Sequence, residues 1–259
     1  MIEQDYEMVT VGGGDKAREI AVMRRAGGSP GLFWLGGFLS DMAGTKARAV
    51  DSFAEKHGFA ATRFDYSGHG VSGGRFEDGT ISRWLEEARA IFERCTDGPQ
   101  IVIGSSMGGW IALLLAQALK ESGRIAGLVL IAPAVDMTRK LMWDTWSKKA
   151  RAELETTGAY RQPSDYSDEP YLITRALIED GDAHLFGDRL IETGCPVHIL
   201  QGTEDTDVPP KVATDLLAHF ASDDAVLTLV KGGDHRLSRP EDLARLESAI
   251  SGIIAEMDG

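Results

Sequence analysis

The chain has 259 residues, 43% of them hydrophobic and 26% charged, which fits one large or two small domains around a sizeable buried core. A formal net charge of −13 argues against nucleic acid and against an anionic membrane surface as partners, and its plain role is solubility. The two cysteines, Cys95 and Cys195, have no spacing that suggests a disulfide framework or a metal knuckle, so free thiols are expected.

The first six residues are acidic and lack an apolar stretch, so they read neither as a secretory signal nor as an Arg-rich transit peptide. The longest apolar run, 110–116, is too short to cross a bilayer. A cytoplasmic chain without integral membrane association is the expectation. Strands are predicted over 8–11 and 19–23, alternating in character and joined by Gly12-Gly13-Gly14-Asp15 as an edge hairpin. A continuous apolar strand over 32–35 follows, then a helix over 45–57, a strand over 61–65 and a helix over 82–95. The pattern continues with a strand over 101–104, a helix over 109–121 and a strand over 127–132. After a break come a strand over 197–201, a helix over 210–221, a strand over 226–230 and a closing helix over 240–257. Apolar runs of this kind are buried parallel strands, and their alternation with helices gives an α/β protein with a mostly parallel, eight-stranded sheet. The break, 136–190, has helical and loop character without a clear strand and is rich in aromatics. A structureless loop of that length is improbable in a compact domain. It is read as a small helical cap inserted between two parts of one core, 1–135 and 191–259.

The strand at 101–104 runs into Gly104-Ser105-Ser106-Met107-Gly108-Gly109 and then directly into a helix. A Ser with glycines two residues away on each side, in a strand–turn–helix setting, is the pattern of a nucleophile elbow. The hydroxyl stands at a helix N-terminus, where backbone N–H groups favour an anionic intermediate. A serine hydroxyl needs a base within reach, and the base needs an orienting acid. Asp205 is the candidate acid, just past the strand at 197–201, where ligand-side loops of an open sheet gather. Glu204 and Asp207 are rivals in the same loop and Asp136 is a further alternative. His235 is the candidate base, in Gly232-Gly233-Asp234-His235 after the last strand. A single His is more often structural than catalytic, but this one follows the acid in the order such sites require. His69, in Asp65-Tyr66-Ser67-Gly68-His69-Gly70, is read as structural. Two backbone donors are needed for an oxyanion: the N–H of Met107, directly after the nucleophile, and the N–H of Phe38, after Gly36-Gly37. Gly37, Trp143, Trp146 and Tyr166 are candidate substrate contacts, with cap core as the competing role for the aromatics.

These segments together resemble the α/β-hydrolase superfamily. A narrower resemblance lies in Gly37-Phe38-Leu39-Ser40-Asp41-Met42-Ala43-Gly44-Thr45-Lys46-Ala47, Arg63-Phe64-Asp65-Tyr66-Ser67-Gly68, Asp97-Gly98-Pro99-Gln100, the elbow with Trp110, and Asp234-His235-Arg236. They are similar to the mitochondrial palmitoyl-protein thioesterase family, also known as mycophenolic acid acyl-glucuronide esterases. The resemblance implies a Ser106, Asp205, His235 triad acting on long-chain thioesters and acyl glucuronides. The cap is the least alike, and the missing transit peptide makes the chain look like a bacterial relative.

The expected reaction is hydrolysis of a carboxylic ester or thioester through an acyl-enzyme on Ser106, with no metal or organic cofactor. The expected partner is a small-molecule or acylated substrate, and the chain is a monomer or homodimer. C–C bond hydrolysis, acyl transfer and small-ester hydrolysis stay open on the same three residues, and so does a non-enzymatic binding module. A dehalogenase or epoxide hydrolase is disfavoured, because those place a carboxylate at the elbow.

Overall fold

The computed structural model describes residues 6–162, 170–221 and 224–257. In chain order the strands are β1 (Glu7–Val11), β2 (Arg18–Arg25), β3 (Gly28–Leu35), β4 (Phe59–Phe64), β5 (Gln100–Ser105) and β6 (Ile125–Ile131), then β7 (Ala159–Gln162), β8 (Tyr171–Thr174), β9 (Val197–Gly202) and β10 (Ala225–Val230). Eight of them form one sheet in the order β1-β2-β4-β3-β5-β6-β9-β10. β2 runs antiparallel to both neighbours, and every later pairing in this sheet is parallel. The α-helices are α1 (Thr45–His57), α2 (Ile81–Cys95), α3 (Met107–Leu119), α4 (Lys148–Thr157), α5 (Arg175–Asp182), α6 (Pro210–His219) and α7 (Pro240–Met257).

The apolar strands are continuous because both faces of the sheet are covered. Successive side chains point to opposite faces. Leu32, Trp34, Ile101, Ile103, Val129 and Ile131 pack with Val50 and Phe53 of α1 and with Leu246, Ile250 and Ile253 of α7. Phe33, Leu35, Val102, Leu128 and Leu130 pack on the other side, with α2 and α3. α2 buries Ile81, Trp84, Ala88, Ile91, Phe92 and Cys95, a stripe at helical spacing, and Thr80 caps it by accepting the Arg83 N–H at 3.2 Å. α3 is apolar around its whole circumference, as a helix sandwiched in the core must be.

One charged group is fully buried in this layer. Glu87 of α2 accepts from Arg18 Nε at 2.7 Å and from the Ser67 N–H at 2.9 Å. Removing Glu87 leaves the Arg18 guanidinium, itself 6% exposed, without its buried partner. Glu87→Ala is therefore expected to cost about 3–5 kcal/mol, read from the urea midpoint.

The loop after β4 is a structural knot. Asp65 accepts the N–H groups of Met42 at 2.6 Å and Val71 at 2.9 Å. His69 lies among the rings of Tyr66, Phe76 and Trp84, with centroids 5.3–5.8 Å away. Burial pushes its imidazole down from 6.5 to about 4. Between those values the unfolded chain holds a proton on His69 that the folded chain does not. Stability contributed by this group is complete above about pH 6.5 and declines as the pH falls toward 4. His69→Gln is expected to flatten the difference between urea midpoints at pH 7.5 and 5.5. An undiminished difference would assign it to other groups.

The segment 136–190 departs from the expected helical cap. It contains a π-helical turn (Thr138–Trp143), α4 and α5, but also the antiparallel pair β7–β8. These strands have only four residues each and are mostly half-exposed, so they lack the apolar run that marks a buried strand. The Asp136 carboxylate clasps the two ends of the segment. It accepts from Phe186 N at 2.8 Å, Gly187 N at 3.1 Å and Lys140 Nζ at 3.0 Å. This employment takes Asp136 out of consideration as the acid partner of a histidine. No helix among the described residues is long and apolar enough to cross a membrane.

Candidate active site

Ser106 sits alone at the junction of β5 and α3, with φ 55° and ψ −119°. A non-glycine residue there is strained and persists only when its surroundings over-determine it. They do: the Ser106 N–H donates to Ile131 O at 2.9 Å, and its carbonyl accepts from Gly109 N at 2.9 Å and Ala134 N at 3.0 Å. The flanking glycines are steric requirements. A Cβ on Gly104 would stand 2.3 Å from Gly108 O, and one on Gly108 would stand 2.2 Å from Leu35 O. α3 starts at Met107, two residues before its expected position. As the first helical residue, Met107 has no intrahelical acceptor for its N–H.

The topology brings the three expected side chains together. Ser106 Oγ lies 3.1 Å from His235 Nε2, and His235 Nδ1 lies 2.9 Å from Asp205 Oδ2. Asp205 follows β9 and its side chain is fully buried. Its Oδ1 accepts the N–H groups of Asp207 at 3.0 Å and Val208 at 2.8 Å, and its Oδ2 also accepts from Gln201 Nε2 at 2.9 Å. Four donors thus fix one rotamer of the carboxylate. Gln201, fully buried in β9, was not among the residues expected from sequence; a buried amide one turn before an acid is its only signal. Asp207 stands close by: it, Asp205 and His235 offer one ligand atom each within 4.8 Å of one another. A cation held there would compete with the bonds between Asp205 and His235 for the same atoms.

Gly37 faces the serine: a Cβ on it would lie 3.3 Å from Ser106 Cβ and 3.2 Å from Ser105 O. Phe38 follows it, its ring packed edge-on against Phe76 at 4.9 Å and Trp84 at 5.9 Å. Gly37, Phe38, Ser106 and His235 border a cavity of about 440 Å³. Its walls are of two kinds. Met137, Leu141, Met142, Tyr171 and Ile173 supply an apolar side from the inserted segment, and Ser40, Asp41, Lys46, Asp207, Arg236 and Ser238 supply a polar side.

Trp143 and Trp146 do not line this cavity. Trp143 is covered by the guanidinium groups of Arg139 at 5.9 Å and Arg151 at 5.4 Å. Trp146 packs on Tyr160 at 4.9 Å and donates Nε1–H to Gln162 Oε1 at 3.1 Å, which places a cavity-lining side chain. Large aromatics bury most surface by packing within the segment, and cationic side chains cover their open faces. Tyr166 lies outside the described residues.

Residues 26–246 match the model of a family described as the alpha/beta hydrolase family. Among curated relatives, palmitoyl-protein thioesterase ABHD10, mitochondrial, of Bos taurus is 34% identical over 241 residues, 92% of this chain and 77% of the relative. The Homo sapiens protein of the same name is 33% identical over 239 residues, with the same coverage. Among solved structures, a protein from Agrobacterium vitis S4 has a TM-score of 0.93 and 51% identity, covering 96% of this chain and 98% of that one. Mouse alpha/beta hydrolase domain-containing protein 10 has a TM-score of 0.87 and 31% identity, covering 97% and 99%. The expected cytoplasmic location is corrected by these relatives, whose names place them in mitochondria. Free thiols, an acidic first stretch and the lack of a long apolar run do not distinguish the cytoplasm from another reducing compartment.

Proposed function

The chain belongs to the alpha/beta hydrolase family, and from that membership we propose that it is a serine hydrolase cleaving carboxylic esters or thioesters of acyl groups. The observation that carries this reading is the hydrogen-bonded series Ser106–His235–Asp205 at the wall of a cavity with one apolar side. Ser106 Oγ attacks the acyl carbon as His235 Nε2 takes its proton. Asp205 holds the imidazole with Nδ1–H toward itself and stabilises the imidazolium. The N–H groups of Met107 and Phe38 receive the oxyanion; losing one such donor costs on the order of 3 kcal/mol of transition-state stabilisation. The tetrahedral species collapses, His235 gives its proton to the departing alkoxide or thiolate, and an ester is left on Ser106. Water then attacks that ester with His235 as base, the second tetrahedral species collapses as His235 returns the proton to Ser106 Oγ, and the free acid leaves.

In this reading residues 136–190 act as a cap between core parts 1–135 and 191–259, and their apolar wall holds the acyl chain. Relatives named as palmitoyl-protein thioesterases favour an acyl thioester over a small ester. The test is a series of initial rates for matched oxygen esters and thioesters of increasing chain length, with Ser106→Ala as blank. Ser106-dependent rates that rise with chain length and favour thioesters are expected. A preference for short oxygen esters would replace the acyl-thioesterase reading with a small-ester esterase.

A further inference from the structure

Lys46 breaks a local rule. It is the second residue of α1, in a first turn without an acidic residue, where the positive end of the helix disfavours a cation. Local conflicts of that kind are expected where function demands them. Its Nζ reaches across 190 positions of sequence and donates to the carbonyl oxygen of Arg236, the residue after His235. Lys46 also borders the same cavity as Ser106 and His235. The segment just before α1 carries Gly37 and Phe38, so this bond ties the loop of the candidate oxyanion donor Phe38 to the loop of the candidate base. Ser238 Oγ donates to the same carbonyl at 3.0 Å, from within the His235 loop itself.

We propose that Lys46 is a positioning residue, whose ammonium group fixes the loop carrying His235 against the loop carrying the candidate oxyanion donor Phe38. The inference rests on the serine-hydrolase reading above. The charges around Nζ are Asp205, Asp234 and Asp242, which attract it, and Arg236, which repels it; Arg245 borders a small recess with it. Burial nevertheless pulls the ammonium down from 10.5 to about 8.

The experiment compares wild type, Lys46→Met, Lys46→Arg and Ser106→Ala on a neutral p-nitrophenyl ester and on an acyl-CoA thioester of equal chain length. Lys46→Met is expected to lower kcat by about ten- to a hundredfold on both substrates, with KM within about twofold. Lys46→Arg, which keeps the charge and a donor for the Arg236 carbonyl, is expected to restore kcat to within about threefold of wild type on both substrates. A rise in KM confined to the acyl-CoA substrate would overturn the inference in favour of direct contact with an anionic leaving group. Unchanged kcat in Lys46→Met, or a kcat that Lys46→Arg leaves as low as Lys46→Met does, overturns it as well. Failure of the underlying reading looks different: wild type and Ser106→Ala would then hydrolyse both substrates equally.

Discussion

Ser106→Ala is expected to lower kcat by on the order of 10⁴- to 10⁶-fold while leaving the fold intact. The size follows from the proposed role, in which the acyl-enzyme forms on Oγ; without that atom only donor groups and binding remain to assist direct attack by water. The intact fold follows from geometry. Ser106 Oγ has His235 Nε2 as its hydrogen-bond partner, and the three backbone bonds that hold the strained turn do not involve the side chain. Equal urea midpoints for the two proteins, with a collapsed rate, would separate chemistry from folding. A variant retaining a tenth of the wild-type rate would remove Ser106 from the reaction.

Asp205→Asn is expected to lower kcat by about 10⁴-fold, with a smaller change in stability. Oδ1 accepts two backbone N–H groups, so an Asn keeps its carbonyl oxygen there and turns its amide nitrogen toward the Oδ2 position. That nitrogen then meets two donors, His235 Nδ1–H and Gln201 Nε2. The imidazole must adopt its other tautomer, which puts a proton on Nε2 and leaves Ser106 with no acceptor for its own. Gln201 must rotate its amide, giving up the bonds from Nε2 to Gly202 O at 3.2 Å and Val208 O at 3.1 Å. Kinetics at saturating substrate, with the downfield imidazole N–H resonances of the proton spectrum reporting the His235 tautomer, check both parts. An Asn variant with near-wild-type kcat would mean that another carboxylate, Asp207 in the first place, orients the base.

The elements legible in sequence are those whose chemistry is local. The inner strands β3, β5 and β6 of the parallel sheet are apolar runs whose burial on two faces demands it, and the Gly104–Gly109 turn tolerates no side chain at its contacts with Gly108 O and Leu35 O. Asp205 and His235 were legible through their position after β9 and β10. Their mutual distance came only from the parallel pairing of those strands. The inserted segment was less readable. β7 and β8 are four-residue strands with few buried positions, and the cavity wall draws Met137, Leu141 and Met142 from one stretch and Tyr171 and Ile173 from another. Nothing in either stretch alone marks an inward face, and the conspicuous Trp143 and Trp146 turned out to serve packing. Lys46 looks like an ordinary helix-surface lysine until its reach to Arg236 is seen.

The central claim is covalent chemistry at one oxygen atom. Rapid-quench mass spectrometry during turnover of a long-chain acyl thioester tests it most directly. The expected result is a mass gain of one acyl group, mapped to the peptide containing Ser106, that rises and decays with turnover and is absent from Ser106→Ala. Steady turnover with no acylation of Ser106, or with the acyl group on another residue such as Cys195, would contradict it.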